Sequence, residues 1–586
     1  MRTTLVNLVN ETFTEDTPSP EVVRRFLGGR GLNMYFLDKY LDTDVDPLSP
    51  ENPLIFGTGL LTGTRAPNSS RMNITAKSPE SYVLGDSNVG GQFPAWMRHA
   101  GFDRLILTGK AERLSYILLK DGKIEIKDAT KYKGMNNTEF RATIKKDLGK
   151  VEVACIGEAG ENQVRFASIM TGVKNAAGRT GMGAVMGSKN IKAIVVAKGK
   201  RQKASQEFVD YAKALYRKIA DSGVARALST LGTPFLYRLS NKLGAIRTRN
   251  SKETRFEPTL DGEHFLPYSS KSVGCYNCAV RCRHQNTLGG EGPEYSTVGL
   301  LGANLGIGDP EAVIRLNNVA NDLGLDTSSA GSIIGWAIEL YEKGLIASDT
   351  ELEFGNPKLA EELLYKISRR DGVGDLLAES TRLIERLGDD AEEARKYLIE
   401  VNGLSQSCPH DSRVVKSFAL GLVVSSRGAD HLRNRPTLDL FPDGLKRKVY
   451  GEEHATGFRS YDSAAEKVVL HENIYAVVDS LGICKFVCKN FNSPSMVGYD
   501  EFSDMIRFST GMEMSEEELV QVGRRVVDLE RRINMKMGIK DILPWRYTQP
   551  NSDGESICPD KFGAALQSYY TLRGWNTAGQ PQGPLM

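Results

Sequence analysis

Short apolar or alternating runs separated by glycine-rich turns dominate the first 200 or so residues. LVNLV, PLIFGTGLL, RMNITAK, RLILTGK and KAIVVAK each predict a strand. Residues 115–127 alternate on both sides of Asp121-Gly122, which predicts a hairpin with that pair at its turn. From about residue 205 the period changes to that of a helix. Residues 311–323 place Val313, Leu316, Val319, Ala320 and Leu323 on one face, with Gly324 as the stop. A second helix is predicted through 333–343, with Ser328 or Ser329 as N-cap and Gly344 beyond its end. Helical patterns recur at 359–370 and 375–387, and in the last third before a polar Gly/Pro-rich tail. No internal repeat or low-complexity segment interrupts this order.

A chain of 586 residues has room for roughly three domains. The pattern predicts an α+β protein: a β-sheet base over 1–203, a helical domain over 204–400 and another over 401–586. A net charge of +2 gives no reason to propose nucleic acid or an anionic membrane as partner. No stretch approaches the ~20 uninterrupted apolar residues of a membrane span, and the first residues do not read as a secretory signal. Eight scattered cysteines do not form a secreted disulfide framework, so a reducing cytoplasm is expected. Glycine is in excess, at 58 residues. Much of that excess lies in turns such as 28–31, 57–59, 90–91 and 178–183.

Candidate chemistry starts with Cys275-Tyr-Asn-Cys278-Ala-Val-Arg-Cys282 and the distant Cys484. Three close thiols and one remote one suit an iron–sulfur cluster, but CxxC pairs also hold structural zinc or stay unliganded. Cys488 competes with Cys484 as the fourth ligand. Cys155, Cys408 and Cys558 are expected to be buried small apolar residues. The glycine turns are interleaved with Arg71, Asn88, Arg179 and Lys189, a combination that suits an anionic ligand. No P-loop is present, and no GxGxxG sits between a strand and a helix, which argues against ATP and NAD. Two hexads share one form: Asn321-Asp-Leu-Gly-Leu-Asp326 and Asp479-Ser-Leu-Gly-Ile-Cys484. Singly each is a glycine-capped helix end; as a pair they suggest a pseudo-symmetric ligand.

These motifs, with SPENPLIFGTGLLTGTRAP, AGRTGMGAVMGSK (177–189), Gly-Pro-Glu-Tyr (292–295), GANLGI (302–307) and Leu572-Arg-Gly-Trp575, resemble the tungsten-containing aldehyde:ferredoxin oxidoreductase family over nearly the whole length. The resemblance implies two pterins holding one tungsten or molybdenum, a nearby [4Fe–4S] cluster, and a sheet base with two helical domains covering a buried cofactor. It implies that Asn321, Leu325 and Asp326 hold one pterin, and Asp479, Ile483 and Arg433 the other. Arg71 would lie between pterin and cluster. Asn88 and Ala176 would offer backbone carbonyls to a magnesium, in a site lined by Gly90, Gly178 and Arg179. It selects Cys484 over Cys488 to complete the cluster set of Cys275, Cys278 and Cys282. His431 matches the metal-proximal histidine and is the expected general acid/base, its pKa near neutrality suiting proton transfer. Glu294 is a second candidate, and Ser296 would orient substrate.

The expected activity is anaerobic oxidation of an aldehyde to its acid, with ferredoxin or a small iron–sulfur subunit taking the electrons. The sequence departs from the family pattern at three places. Ser296 replaces a glutamate, Asn321 replaces an aspartate, and Arg315 and Asn318 replace the Glu-x-x-His that bridges two subunits through iron. The last change argues against an iron-bridged dimer. The Ser296 change keeps open a non-aldehyde substrate, such as that of a reductive aromatic acyl-CoA subunit in a larger complex. A non-catalytic electron-transfer or scaffold subunit is a third alternative, which the intact turns and hexads oppose.

Overall fold

The computed structural model describes residues 1–491 and 493–585. The first 200 residues form two six-stranded sheets. The first contains β1 (Thr3–Asn7), β2 (Thr12–Glu15), β3 (Leu54–Thr58), β4 (Met72–Lys77), β5 (Leu84–Val89) and β6 (Arg104–Thr108), in the order β2-β1-β6-β3-β4-β5. The second contains β7 (Ser115–Lys120), β8 (Lys123–Asp128), β9 (Val151–Cys155), β10 (Ile169–Met170), β11 (Ala176–Ala177) and β12 (Ile191–Ala197), in the order β11-β10-β9-β12-β7-β8.

Strand alternation explains how the sheets pack. On β6, Leu105 and Leu107 join Phe56, Ile74, Ile117, Ile194 and Val196 in a core between the two sheets. Ile106 points the other way, to a core shared with the helical part of the chain. On β12, Ala193 and Val195 turn outward to meet Phe140 and Ile144. Both faces are therefore covered, which is why these strands read as nearly continuous apolar runs. Full burial of each such Leu, Ile or Phe contributes about 1.5–3 kcal/mol. The β7–β8 hairpin turns at Asp121 (φ 48°) and Gly122 (φ 74°), both left-handed as a type I′ turn requires.

Beyond residue 205 the chain is mainly helical. Helix α1 (Gly29–Tyr40) belongs to the base, and four later helices matter for the site: α2 (Pro310–Leu323), α3 (Thr327–Glu342), α4 (Ala464–Leu481) and α5 (Glu516–Lys536). Helix α4 is buried nearly all round, packing on α1 and α5. Arg30 of α1 makes a bidentate bond to Glu530 of α5 at 2.6 and 2.7 Å and reaches Asp479 of α4 at 3.4 Å. This buried pairing joins base and helical cover.

The two hexads occupy equivalent places, at the C-terminal ends of α2 and α4. Each helix ends in a left-handed glycine, Gly324 (φ 76°) and Gly482 (φ 78°). Each hexad then bonds main chain to main chain with the base. Ser168 N–H donates to the Gly324 carbonyl at 2.7 Å and Asp326 N–H to Phe166 at 3.1 Å; Leu61 N–H donates to Leu481 at 2.8 Å and Arg71 N–H to Gly482 at 3.0 Å. Glycines of the base, Gly157 and Gly59, let the chains approach this closely.

Three local expectations are corrected. The N-cap of α3 is Asp326, not Ser328 or Ser329: its carboxylate accepts the N–H groups of both serines, at 3.1 and 2.9 Å. Cys558 is exposed, unlike buried Cys155 and Cys408. Lys189 lies outside the anionic-ligand region. Its ammonium is buried and donates to the Pro50 and Gly109 carbonyls at 2.8 and 3.3 Å. Among the described residues, no helix is long and apolar enough to cross a membrane.

Candidate functional site

A cavity of about 300 Å³ lies where the base meets the ends of the two hexads. That volume falls within the range of small-molecule and cofactor sites. Among the expected site residues, Arg71, Asn88, Gly90, Ala176, Gly178, Arg179, Glu294, Ser296, Asn321, Leu325, Asp326, His431 and Arg433 all line it. Asp479 and Ile483 do not. Asp479 stands behind the wall, accepting from Arg433 at 3.2 Å and from Lys485; Ile483 is in the apolar core.

The wall is cationic. Eight Arg and Lys side chains line it against three carboxylates, those of Glu294, Asp326 and Asp430. A polyanion is the ligand such a wall suits. Polar strand β5 supplies one side. Its Asp86 is fully buried, accepts from Asn73 at 2.8 Å and pairs with Arg433 at 2.7 Å. Arg427 spans Asp86 and Asp430, at 3.4 and 2.8 Å. Burial opposes ionisation of both carboxyls. Arg433 and Arg427 beside Asp86, and Arg427 beside Asp430, outweigh it and hold them below the usual range. Arg179 donates to Asp326 at 2.8 Å, to Ser329 at 2.7 Å and to the Ser405 carbonyl. Several buried donor atoms still lack a hydrogen-bond partner, including Asn88 Nδ2 and the Nε atoms of Arg179, Arg427 and Arg433. Unspent buried donors around a large cavity fit an anionic cofactor.

A second cavity, with only about 10 Å³ of room, adjoins the first, shares Arg71, Cys275, Cys282 and Arg283 with it, and is lined by Cys275, Cys278, Cys282 and Cys484. Arg71 donates to Cys484 Sγ at 3.2 Å, Asn68 to Cys278 Sγ at 3.4 Å and the Arg281 backbone N–H to Cys278 Sγ at 3.2 Å. Donors on sulfur are what a thiolate set needs. Burial pushes the Cys278 thiol up to about 11 and Cys282 well above its ordinary value. At Cys275, Arg283 and Arg71 outweigh burial and lower it. Cys488 lies elsewhere, in the apolar core beside Tyr475, where burial raises its thiol to about 12. A β-carbon on Gly90 would sit 3.1 Å from Cys275 Sγ and 3.3 Å from Arg71 Cζ, so glycine is what lets the chain leaving β5 pass close to both cavities. Among the described residues, no three His, Cys, Asp or Glu side chains converge as ligands of a single ion. The four thiols ring a space instead.

The proton-handling candidates behave differently from their sequence expectation. His431 Nδ1 lies 2.9 Å from Ser407 Oγ, which donates in turn to Asp430 at 3.3 Å. That network puts the hydrogen on Nδ1 and leaves Nε2 as a base. Burial, then the Arg435 guanidinium, hold His431 well below its ordinary pKa rather than near neutrality. Glu294 is ionised. Burial opposes this, but Lys174 pairs with one oxygen and lowers its pKa, while Thr233 donates to the other at 2.5 Å. Both of its oxygens are therefore engaged by neighbouring side chains. Ser296 lines the cavity between Glu294 and Thr297. Arg315 pairs with Glu311 one turn back, and Asn318 donates to the Gly289 carbonyl at 2.8 Å.

Sequence reasoning missed Lys174, Arg283, Arg427, Asp430, Arg435 and Lys485. Arg427 and Asp430 flank His431 within one short stretch and were findable there. The others are isolated cations with no pattern to mark them.

Comparison with known proteins follows the same lines. The family pattern for the N-terminal domain of aldehyde ferredoxin oxidoreductase matches residues 3–198, and that for its domains 2 and 3 matches residues 210–584. The tungsten-containing aldehyde ferredoxin oxidoreductase of Pyrococcus furiosus is 36% identical, over 98% of this chain and 96% of that protein. The aliphatic sulfonate oxidoreductase, WOR-like subunit, of the same organism is 30% identical over 98% and 94%. A solved structure of the active site complex BamBC of benzoyl coenzyme A reductase with 1,5-dienoyl-CoA matches with a TM-score of 0.85 at 26% identity, covering 99% of this chain and 95% of that one.

Proposed function

The chain belongs to the aldehyde ferredoxin oxidoreductase family and is an oxidoreductase, and on that premise we propose that it oxidises an aldehyde to its carboxylic acid and passes the electrons to ferredoxin or a small iron–sulfur subunit. The balance is R–CHO + H₂O → R–COOH + 2 e⁻ + 2 H⁺. The observation that carries this reading is the cationic cavity between the hexads, adjoining a four-cysteine cavity with which it shares Arg71, Cys275 and Cys282.

Asn321, Leu325 and Asp326 would hold one pterin of a tungsten or molybdenum centre, and Arg433, backed by Asp479 and Ile483, the other. Asn88, Ala176, Gly90, Gly178 and Arg179 would surround a magnesium joining the pterin phosphates. When bound, the metal centre supplies the two-electron chemistry. The four cysteines would ligate a [4Fe–4S] cluster, and Arg71, touching both cavities, would stabilise negative charge on either side. Neutral His431 takes the proton released at the substrate carbon. Glu294 and Lys174 fix each other at the cavity wall, and Ser296 orients the substrate. The division into 1–203, 204–400 and 401–586 and a cytoplasmic location belong to the same proposal.

With no Glu-x-x-His at 315–318, the subunit contact is proposed to lack shared iron; a dimer holding iron between two copies of α2 would contradict this. The Ser296 hydroxyl, where the family pattern has a carboxylate, favours a second reading in which the substrate is a non-aldehyde and the chain works inside a larger electron-transfer complex. Anaerobic dye reduction separates the readings. A panel of aldehydes should drive it, and silence on every aldehyde would favour the second.

A further inference from the structure

Arg435 is 4% exposed and lines the cavity, yet no carboxylate among the described residues pairs with it. Every other Arg or Lys on the wall apart from Arg71 pairs with a carboxylate, and Arg71 has the Cys484 thiol. The guanidinium is nonetheless firmly held. Nε donates to Thr437 Oγ1 at 3.4 Å, and Nη1 lies 3.0 Å from Cys408 Sγ and 3.3 Å from His410 Nδ1. The Phe418 ring lies beneath it, 5.3 Å from Cζ. His410 is fixed in turn. Arg435 only donates, so Nδ1 accepts; Nε2–H then donates to Ser240 Oγ at 2.8 Å, while Ser240 donates to Leu236 at 2.9 Å. Tyr295 hydroxyl lies 3.1 Å from the same Nε2. Nη2 alone makes none of the hydrogen bonds of the described residues. The Arg435 backbone N–H donates to the His431 carbonyl at 3.3 Å, so the two residues share one turn of chain.

We propose that Arg435 is a carboxylate-binding subsite, presented to the cavity by Cys408, His410 and Phe418. A buried guanidinium with a free N–H₂ edge recognises carboxylate strongly. The inference rests on the aldehyde-oxidising reading for the origin of that carboxylate: either the one formed by oxidation or a second acid group that the aldehyde already carries.

The test uses the metal-loaded protein, wild type beside Arg435→Gln and Arg435→Lys. Calorimetry with acetate and benzoate should show binding weakened at least tenfold in R435Q and an intermediate loss in R435K, with tungsten or molybdenum content unchanged. Kinetics distinguish the two sources. Weaker product inhibition with a neutral aldehyde marks the carboxylate formed; a raised KM confined to an aldehyde that carries its own carboxylate marks the second group. Equal carboxylate affinity in wild type and R435Q overturns the proposal, and so does loss of metal from R435Q, which would make Arg435 a cofactor contact. If wild type oxidises no aldehyde, the functional reading fails, while the calorimetry still decides the subsite.

Discussion

Replacing Gly157 with alanine tests whether the first hexad is clamped to the base. Gly157 has an ordinary backbone conformation (φ −88°), so alanine adds steric volume without left-handed strain. The new β-carbon would lie 2.5 Å from the Leu323 carbonyl carbon and 2.9 Å from Gly324 N, closer than any ordinary contact. Both neighbours are backbone, so no rotamer change relieves the overlap. The hexad must move by roughly an ångström, which costs about 1–3 kcal/mol as overpacking. The movement also breaks the bonds Ser168 N–H to Gly324 and Asp326 N–H to Phe166, worth about 0.5–1.5 kcal/mol each. The expected loss is therefore about 2–6 kcal/mol. Because Leu325 and Asp326 line the cavity, metal content should fall with it. Gly563→Ala is the control: its β-carbon meets nothing within 4 Å in the 559–573 helix, so stability should hold or rise by up to about 1 kcal/mol. Urea denaturation of the loaded protein, with metal content measured in parallel, reads both. A Gly157→Ala protein as stable and as metal-replete as Gly563→Ala would refute the clamp.

Three other outcomes are expected. Cys484→Ser should lose the cluster's iron and its reduced EPR signal while Cys488→Ser keeps both; the reverse pattern would reassign the fourth ligand. His431→Ala should retain metal and cluster but turn over about 10²–10⁴-fold more slowly, the range of general acid–base catalysis; full activity would make His431 a bystander. Glu80 is fully buried, receives hydrogen bonds from Ser329 and Ser380 at 2.8 Å, and is raised by burial to about 7. A carboxyl with a raised folded-state pKa contributes most below its unfolded value, and that contribution is lost as pH rises through 4.5 to about 7. Glu80→Gln should flatten the decline in stability across that window, by an amount of order 3 kcal/mol at most; an unchanged stability–pH profile would show that Glu80 does not titrate there.

The sequence was legible where burial is two-sided and apolar. Strands β3, β4, β6 and β12 and the β7–β8 hairpin could be read directly, because the apolar side chains of their runs meet a core. The two glycine-capped helix ends were legible for a local reason, the left-handed residue each needs. Strand β5, Leu-Gly-Asp-Ser-Asn-Val, was not. It is buried yet polar because Asn73 and Arg433 pair with Asp86, Asn73 also donates to Asn88 Oδ1, and Ser87 and Asn88 line the cavity. Local pattern fails at such a strand because its side chains serve the site and not the core. The site's charge balance was equally hidden: Lys174, Arg283 and Arg435 come together only through tertiary structure. His431 was findable, but its proton position depends on Ser407 and Asp430, and its lowered pKa on burial beside Arg435.

Metal analysis of anaerobically purified protein tests the central claim most directly. The account predicts tungsten or molybdenum at about one per chain, with about four irons. Protein that is folded, iron-replete and free of both metals would contradict it, and so would one zinc per chain in place of iron.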